Sequence, residues 1–70
     1  MRYEISVDWD NDAGVWCAVC DDIPLAVESN SFDALIVRAK TVAQEILELN
    51  NKLDNDAKLC FKTTYEESVV

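Results

Sequence analysis

Tyr3, Ile5, Val7 and Trp9 alternate with Arg2, Glu4, Ser6 and Asp8, a period of two that predicts a strand with one dry and one wet face. Asp10-Asn11-Asp12-Ala13-Gly14 follows, residues that bond their own backbone or tolerate positive φ, so the chain is expected to reverse there in a hairpin. Val15 to Cys20 is apolar without interruption and rich in β-branched and aromatic types, which predicts a second strand. Its alternation puts Val15, Cys17 and Val19 on one face and Trp16, Ala18 and Cys20 on the other, and both sets ask for cover. Asp21-Asp22-Ile23-Pro24 reads as a turn, because proline fixes φ and has no N–H to give a ladder. Leu25 to Glu28 then forms a short third strand at an edge.

Ser31 is placed to cap a helix beginning at Phe32, with Asp33 in the first turn, where a carboxylate meets the positive end of the helix dipole. Phe32, Leu35, Ile36, Ala39, Val42, Ala43, Ile46, Leu49 and Leu53 recur at steps of three and four and predict one apolar stripe. Val37 faces away from it and Leu47 falls at its margin. Asn50-Asn51 and Asp54-Asn55-Asp56 frame the helix end and a loop. Ala57, Leu59 and Phe61 alternate with Lys58, Cys60 and Lys62 in a fourth strand running to about Tyr65, and a frayed tail is expected over about 66–70.

The order β-β-β-α-β predicts an α+β fold in a single domain over residues 1–70. Three sequential strands make an antiparallel meander, the helix lays its stripe on one sheet face, and the fourth strand returns beside the first and parallel to it. The other sheet face is then uncovered. We expect Trp16, Ala18 and Cys20, or else their alternates, to lie there and to serve self-association.

Seventy residues are too few for two domains, and domains this small commonly add disulfides, a metal or a second subunit. Three cysteines, no signal peptide and no apolar run near the roughly 18 residues of a membrane span point to a reducing cytoplasm. A homodimer or higher oligomer is therefore the expected source of extra stability. Six Lys+Arg against fourteen Asp+Glu give a net charge of −8, which repels phosphates and anionic lipid, so neither direct nucleic-acid binding nor membrane binding is expected.

The chain has no histidine, so the commonest general base and any Ser-His or Cys-His pair are missing, and no catalytic residues, cofactor or metal are assigned. Cys17-Ala18-Val19-Cys20 spells C-x-x-C, but its ends fall on opposite faces of a strand and zinc would lack further ligands. Asp8-Trp9-Asp10-Asn11-Asp12 imitates a calcium-loop opening, with Ala13 and Val19 where Gly and a bidentate Glu belong. These three aspartates would be the ligands of the enzymatic alternative, a minimal metal-dependent ribonuclease. A structural oligomer or small-ligand carrier is the blander alternative. Charge distribution says more. Residues 1–33 carry eight acids and one base, a net of −7, whereas residues 34–70 carry six acids and five bases, a net of −1. A concentrated negative field draws basic surfaces and speeds encounter with them. Asp8, Asp10, Asp12, Asp21, Asp22 and Glu28 are the expected contacts for a basic protein partner.

The alternating first strand, the Asp10–Gly14 loop, the aromatic-bearing second strand, Asp22-Ile23-Pro24, the entry Ser31-Phe32-Asp33-Ala34-Leu35 and a closing strand together resemble the HicB-like antitoxin superfamily. The similarity is closest to its short bacterial branch of one helix and four strands, and it spans roughly residues 2–64. It implies a partial ribonuclease-H-like fold, oligomerisation and a role in a toxin-antitoxin system, masking a small basic mRNA-cleaving toxin by occlusion. Full-length members continue into a C-terminal DNA-binding domain whereas this sequence ends at Val70, so the resemblance implies no operator binding here.

Overall fold

A computed structural model describes residues 1–63, 68 and 69. Its elements are β1 (Arg2–Asp10), β2 (Val15–Cys20), β3 (Leu25–Ser29), α1 (Phe32–Leu49) and β4 (Lys58–Thr63). The expected continuation of β4 to Tyr65, and the tail, lie outside the described residues except for Ser68 and Val69. The strands form one mixed sheet in the order β3-β2-β1-β4, antiparallel from β3 to β1 and parallel between β1 and β4. This is the expected α+β arrangement.

The turn chemistry works as the sequence indicates. Asp10 Oδ1 accepts from the amides of Asp12 and Ala13 at 3.0 and 3.2 Å. Gly14 closes the hairpin from the left-handed region at φ +68°, which costs a glycine little. Ser31 caps α1, its hydroxyl oxygen accepting from the Ala34 amide at 3.4 Å. At the other end Asn51 takes φ +55° while Lys52 N–H donates to Leu47 O at 2.8 Å and Asn51 N–H to Glu48 O at 3.1 Å, a Schellman closure with asparagine at the glycine position.

The core joins Tyr3, Ile5 and Val7 of β1, Ala18 and Cys20 of β2, Ile23, and Leu25 of β3 to Leu35, Ala39, Ala43 and Leu47 of α1. Two helix expectations need correction. Leu47 is 2 % exposed and Leu49 is 84 % exposed, the reverse of the stripe anticipated. The buried line advances in steps of four, and each such step turns about 40° around a 3.6-residue helix. By the last turn it has drifted onto Leu47, and a residue two further on must then point away. Val37 faces solvent as expected.

α1 lies over β3 and β2. Between the helix and β4 this leaves an open apolar groove of ≈ 340 Å³, walled by Ile36, Leu47, Leu53, Ala57, Leu59 and Phe61. Leu53 belongs to this wall and not to the helix.

Candidate protein-binding surface

The pairing of β1 with β2 decides which side of β2 meets the helix. Asp10 pairs with Val15, Trp9 with Trp16, Asp8 with Cys17, and Val7 with Ala18. Paired residues share a face, and the buried face of β1 carries Tyr3, Ile5 and Val7. Trp16, Ala18 and Cys20 therefore lie on the helix side, where Ala18 and Cys20 are buried and Trp16 is half-buried. The expectation that these three occupy the open face is corrected. Their alternates are there instead: Val15 and Cys17 half-buried, and Val19 at 44 % exposure.

The same register arranges the expected partner contacts. Asp8 and Glu28 both pair with Cys17, from β1 and β3, so the three stand in one row across the open face. Asp10 lies one step further along this face, and Asp12 tops the adjoining hairpin. Asp21 and Asp22 sit in the β2–β3 turn, at the opposite end of a six-residue strand, roughly 17 Å away at 3.3 Å per residue. The structure brings four of the six together and sets two apart. All six are exposed. Among the described residues the ion pair formed is Lys62 Nζ to Glu4 Oε1, at 2.8 Å, so none of the six is neutralised there.

Cys17 reads out this field. Its thiol pKa is pushed up, first by burial and then by the carboxylates of Asp10, Glu28 and Asp8. A raised pKa leaves less thiolate, the nucleophilic form, at a given pH. Alkylation of Cys17 at pH 8, resolved from Cys20 and Cys60 by peptide mass spectrometry, is expected to run slower than that of a free thiol. Joint Asp8→Asn and Glu28→Gln substitution should recover part of the rate, the remainder being held back by burial. An unchanged rate would show that these carboxylates do not act on the thiol.

The β4 side of the open face has the other sign. Lys58 and Lys62 are on β4, and Arg2 on β1 donates from Nη2 to Cys60 Sγ at 2.9 Å, which raises the Arg2 pKa further. The Lys62 bond, reinforced by its charge, lowers the Glu4 pKa. Among the described residues no group of three His, Cys, Asp or Glu side chains is placed to hold a metal ion. Asp8, Asp10 and Asp12 thus do not converge as ligands, and the C-x-x-C cysteines point to opposite faces.

Sequence reasoning did not foresee an aromatic cluster at the acidic end. Trp9 and Trp16 meet edge to face with centroids 5.3 Å apart, and Trp16 meets Phe32 likewise at 5.2 Å. Trp9 Nε1 donates to Asn11 Oδ1 at 3.3 Å. The signal was in the hairpin: with four residues between Asp10 and Val15, Trp9 must oppose Trp16.

The chain matches the model of DUF1902, a domain of unknown function, over residues 2–70. It belongs to this family. A solved structure agrees: a hypothetical protein, TTHA1013, from the extremely thermophilic bacterium Thermus thermophilus has 30% sequence identity and superposes with a TM-score of 0.82, over 97% of this chain and 99% of that one. No curated protein matches. The β-β-β-α-β plan read from the residues is therefore shared with a protein of bacterial origin.

Proposed function

We propose that this DUF1902 chain is a non-enzymatic protein-binding module of the HicB-like antitoxin kind, which covers the RNA-binding surface of a small basic mRNA-cleaving toxin. The observation that carries this reading is the acidic end of the sheet, where Asp8, Asp10, Asp12 and Glu28 are exposed and, among the described residues, outside any ion pair. A toxin surface that binds RNA is basic, and an acidic face that occupies it stops cleavage without chemistry of its own. Asp21 and Asp22 form a second, separate contact. Self-association belongs to the open face around Val15, Cys17 and Val19, and a cytoplasmic setting suits three free thiols.

The test is co-expression with the product of the adjacent open reading frame. A short basic chain that arrests growth alone, is silenced by this protein and co-purifies with it is the expected result, and the sizing column gives the subunit count. A neighbour that is not basic and does not bind would overturn the reading. So would ribonuclease activity of the pure protein with magnesium or manganese, lost in Asp10→Asn.

A further inference from the structure

The open face of the sheet carries both signs of charge, at opposite ends. Paired residues share a face, so Arg2, Ser6, Asp8 and Asp10 of β1 lie there with Lys58 and Lys62 of β4. Asp8 and Glu28 flank Cys17, with Asp10 beyond them. Arg2 stands beside Lys58 six residues back along β1 from Asp8, roughly 20 Å away at 3.3 Å per residue. Asp8, Asp10, Glu28, Arg2 and Lys58 are all exposed, and among the described residues none of them is in an ion pair. Between the ends runs the row Ala26, Val19 and Ser6, in register across three strands, uncharged and small enough for a second sheet to come close. Lys62 ends this row and is already bonded to Glu4 at 2.8 Å.

Such a face is complementary to itself. A half-turn about an axis that crosses the strands near the middle row lays the acidic end of one copy over the basic end of the other, and symmetry makes the contact twice. An axis along the strands instead stacks acids on acids, which like charge opposes. We infer that the open face receives a second copy of this chain with its strands running the opposite way, the Asp8 and Glu28 end of each copy meeting the Arg2 and Lys58 end of the other, and Val19 enclosed between them. This rests on the reading of the face as a self-association surface, and it adds the orientation and the residues that set it. Asp8 and Glu28 then serve either a second copy or the basic partner at one time, so pairing and partner capture compete.

Exchange of charge tests the orientation. Sedimentation velocity over a dilution series is expected to show a dimer of the intact protein, weakened by salt. Asp8→Lys with Glu28→Lys, or Arg2→Glu with Lys58→Glu, should each weaken pairing about tenfold or more, since attraction between the ends becomes repulsion. Mixing the two variants should restore a dimer, seen as the mixed species by native mass spectrometry, because one variant then presents cations at both ends and the other anions. Circular dichroism checks that both fold, and Asp8→Asn with Glu28→Gln reads a milder loss of pairing without placing lysine on the sheet. Variants that pair as tightly as the intact protein, or a mixture that stays apart, overturn the inference and leave self-association in another orientation. An intact protein that is monomeric throughout overturns the self-association reading as well, while the basic-partner reading is judged separately by co-expression.

Discussion

Ile5→Ala is expected to destabilise the fold severely. Ile5 is fully enclosed, at the centre of β1, the strand that pairs with both β2 and β4. Truncating a buried isoleucine to alanine costs about 2–5 kcal/mol, the cavity included. A domain of 70 residues has only about 4–10 kcal/mol of stability in all, at ordinary values per residue. The substitution therefore removes a large share of it, from about a fifth to the whole. Urea titration followed by circular dichroism reads the loss as a lower midpoint with the slope kept. Val37→Ala, at a helix position 66 % exposed, is the contrast, with a change within about 0.5 kcal/mol. If the two variants melt alike, the core has been placed wrongly.

The second large effect concerns recognition. Neutralising Asp8, Asp10, Asp12 and Glu28 together, to asparagine and glutamine, should weaken binding of a basic partner on the order of 100-fold, four modest ionic contributions multiplying. Asp21→Asn with Asp22→Asn should cost only a few-fold, since those carboxylates occupy the far end of β2. Asparagine at position 10 keeps an oxygen for the amides of Asp12 and Ala13, so the hairpin survives the exchange. Most of the loss is expected in the association rate and should shrink at high salt, as for long-range attraction. Equal losses for the two sets, measured by surface plasmon resonance, would mean that net charge and not its placement governs binding.

The elements were legible because each has a single dominant period. Alternation in β1, the Ser31 cap and the apolar recurrence through α1 leave little freedom, and β2 and α1 begin at the residues read from the sequence. The side of β2 that meets the helix was harder, since both of its alternating sets are apolar and composition favours neither. The decision rests on pairing with β1, a relation between distant residues that no single strand displays. The exchange of Leu49 for Leu47 has a similar origin, because periodicity gives the width of a stripe while the crossing of helix and sheet selects its centre. The acid cluster was only half legible: its charge was visible, but the separation of Asp21 and Asp22 from the other four appears only once β2 has a length and a direction. The aromatic cluster joins positions 9, 16 and 32, which no local window connects.

β4 ends the sheet on one side and carries Lys58 and Lys62 on alternate positions about Cys60. If two copies met rim to rim in opposite directions about that cysteine, each lysine would face its counterpart's like charge. Antiparallel joining of two β4 edges in that register is thereby opposed, so these two ammonium groups disfavour one route by which sheets extend from molecule to molecule.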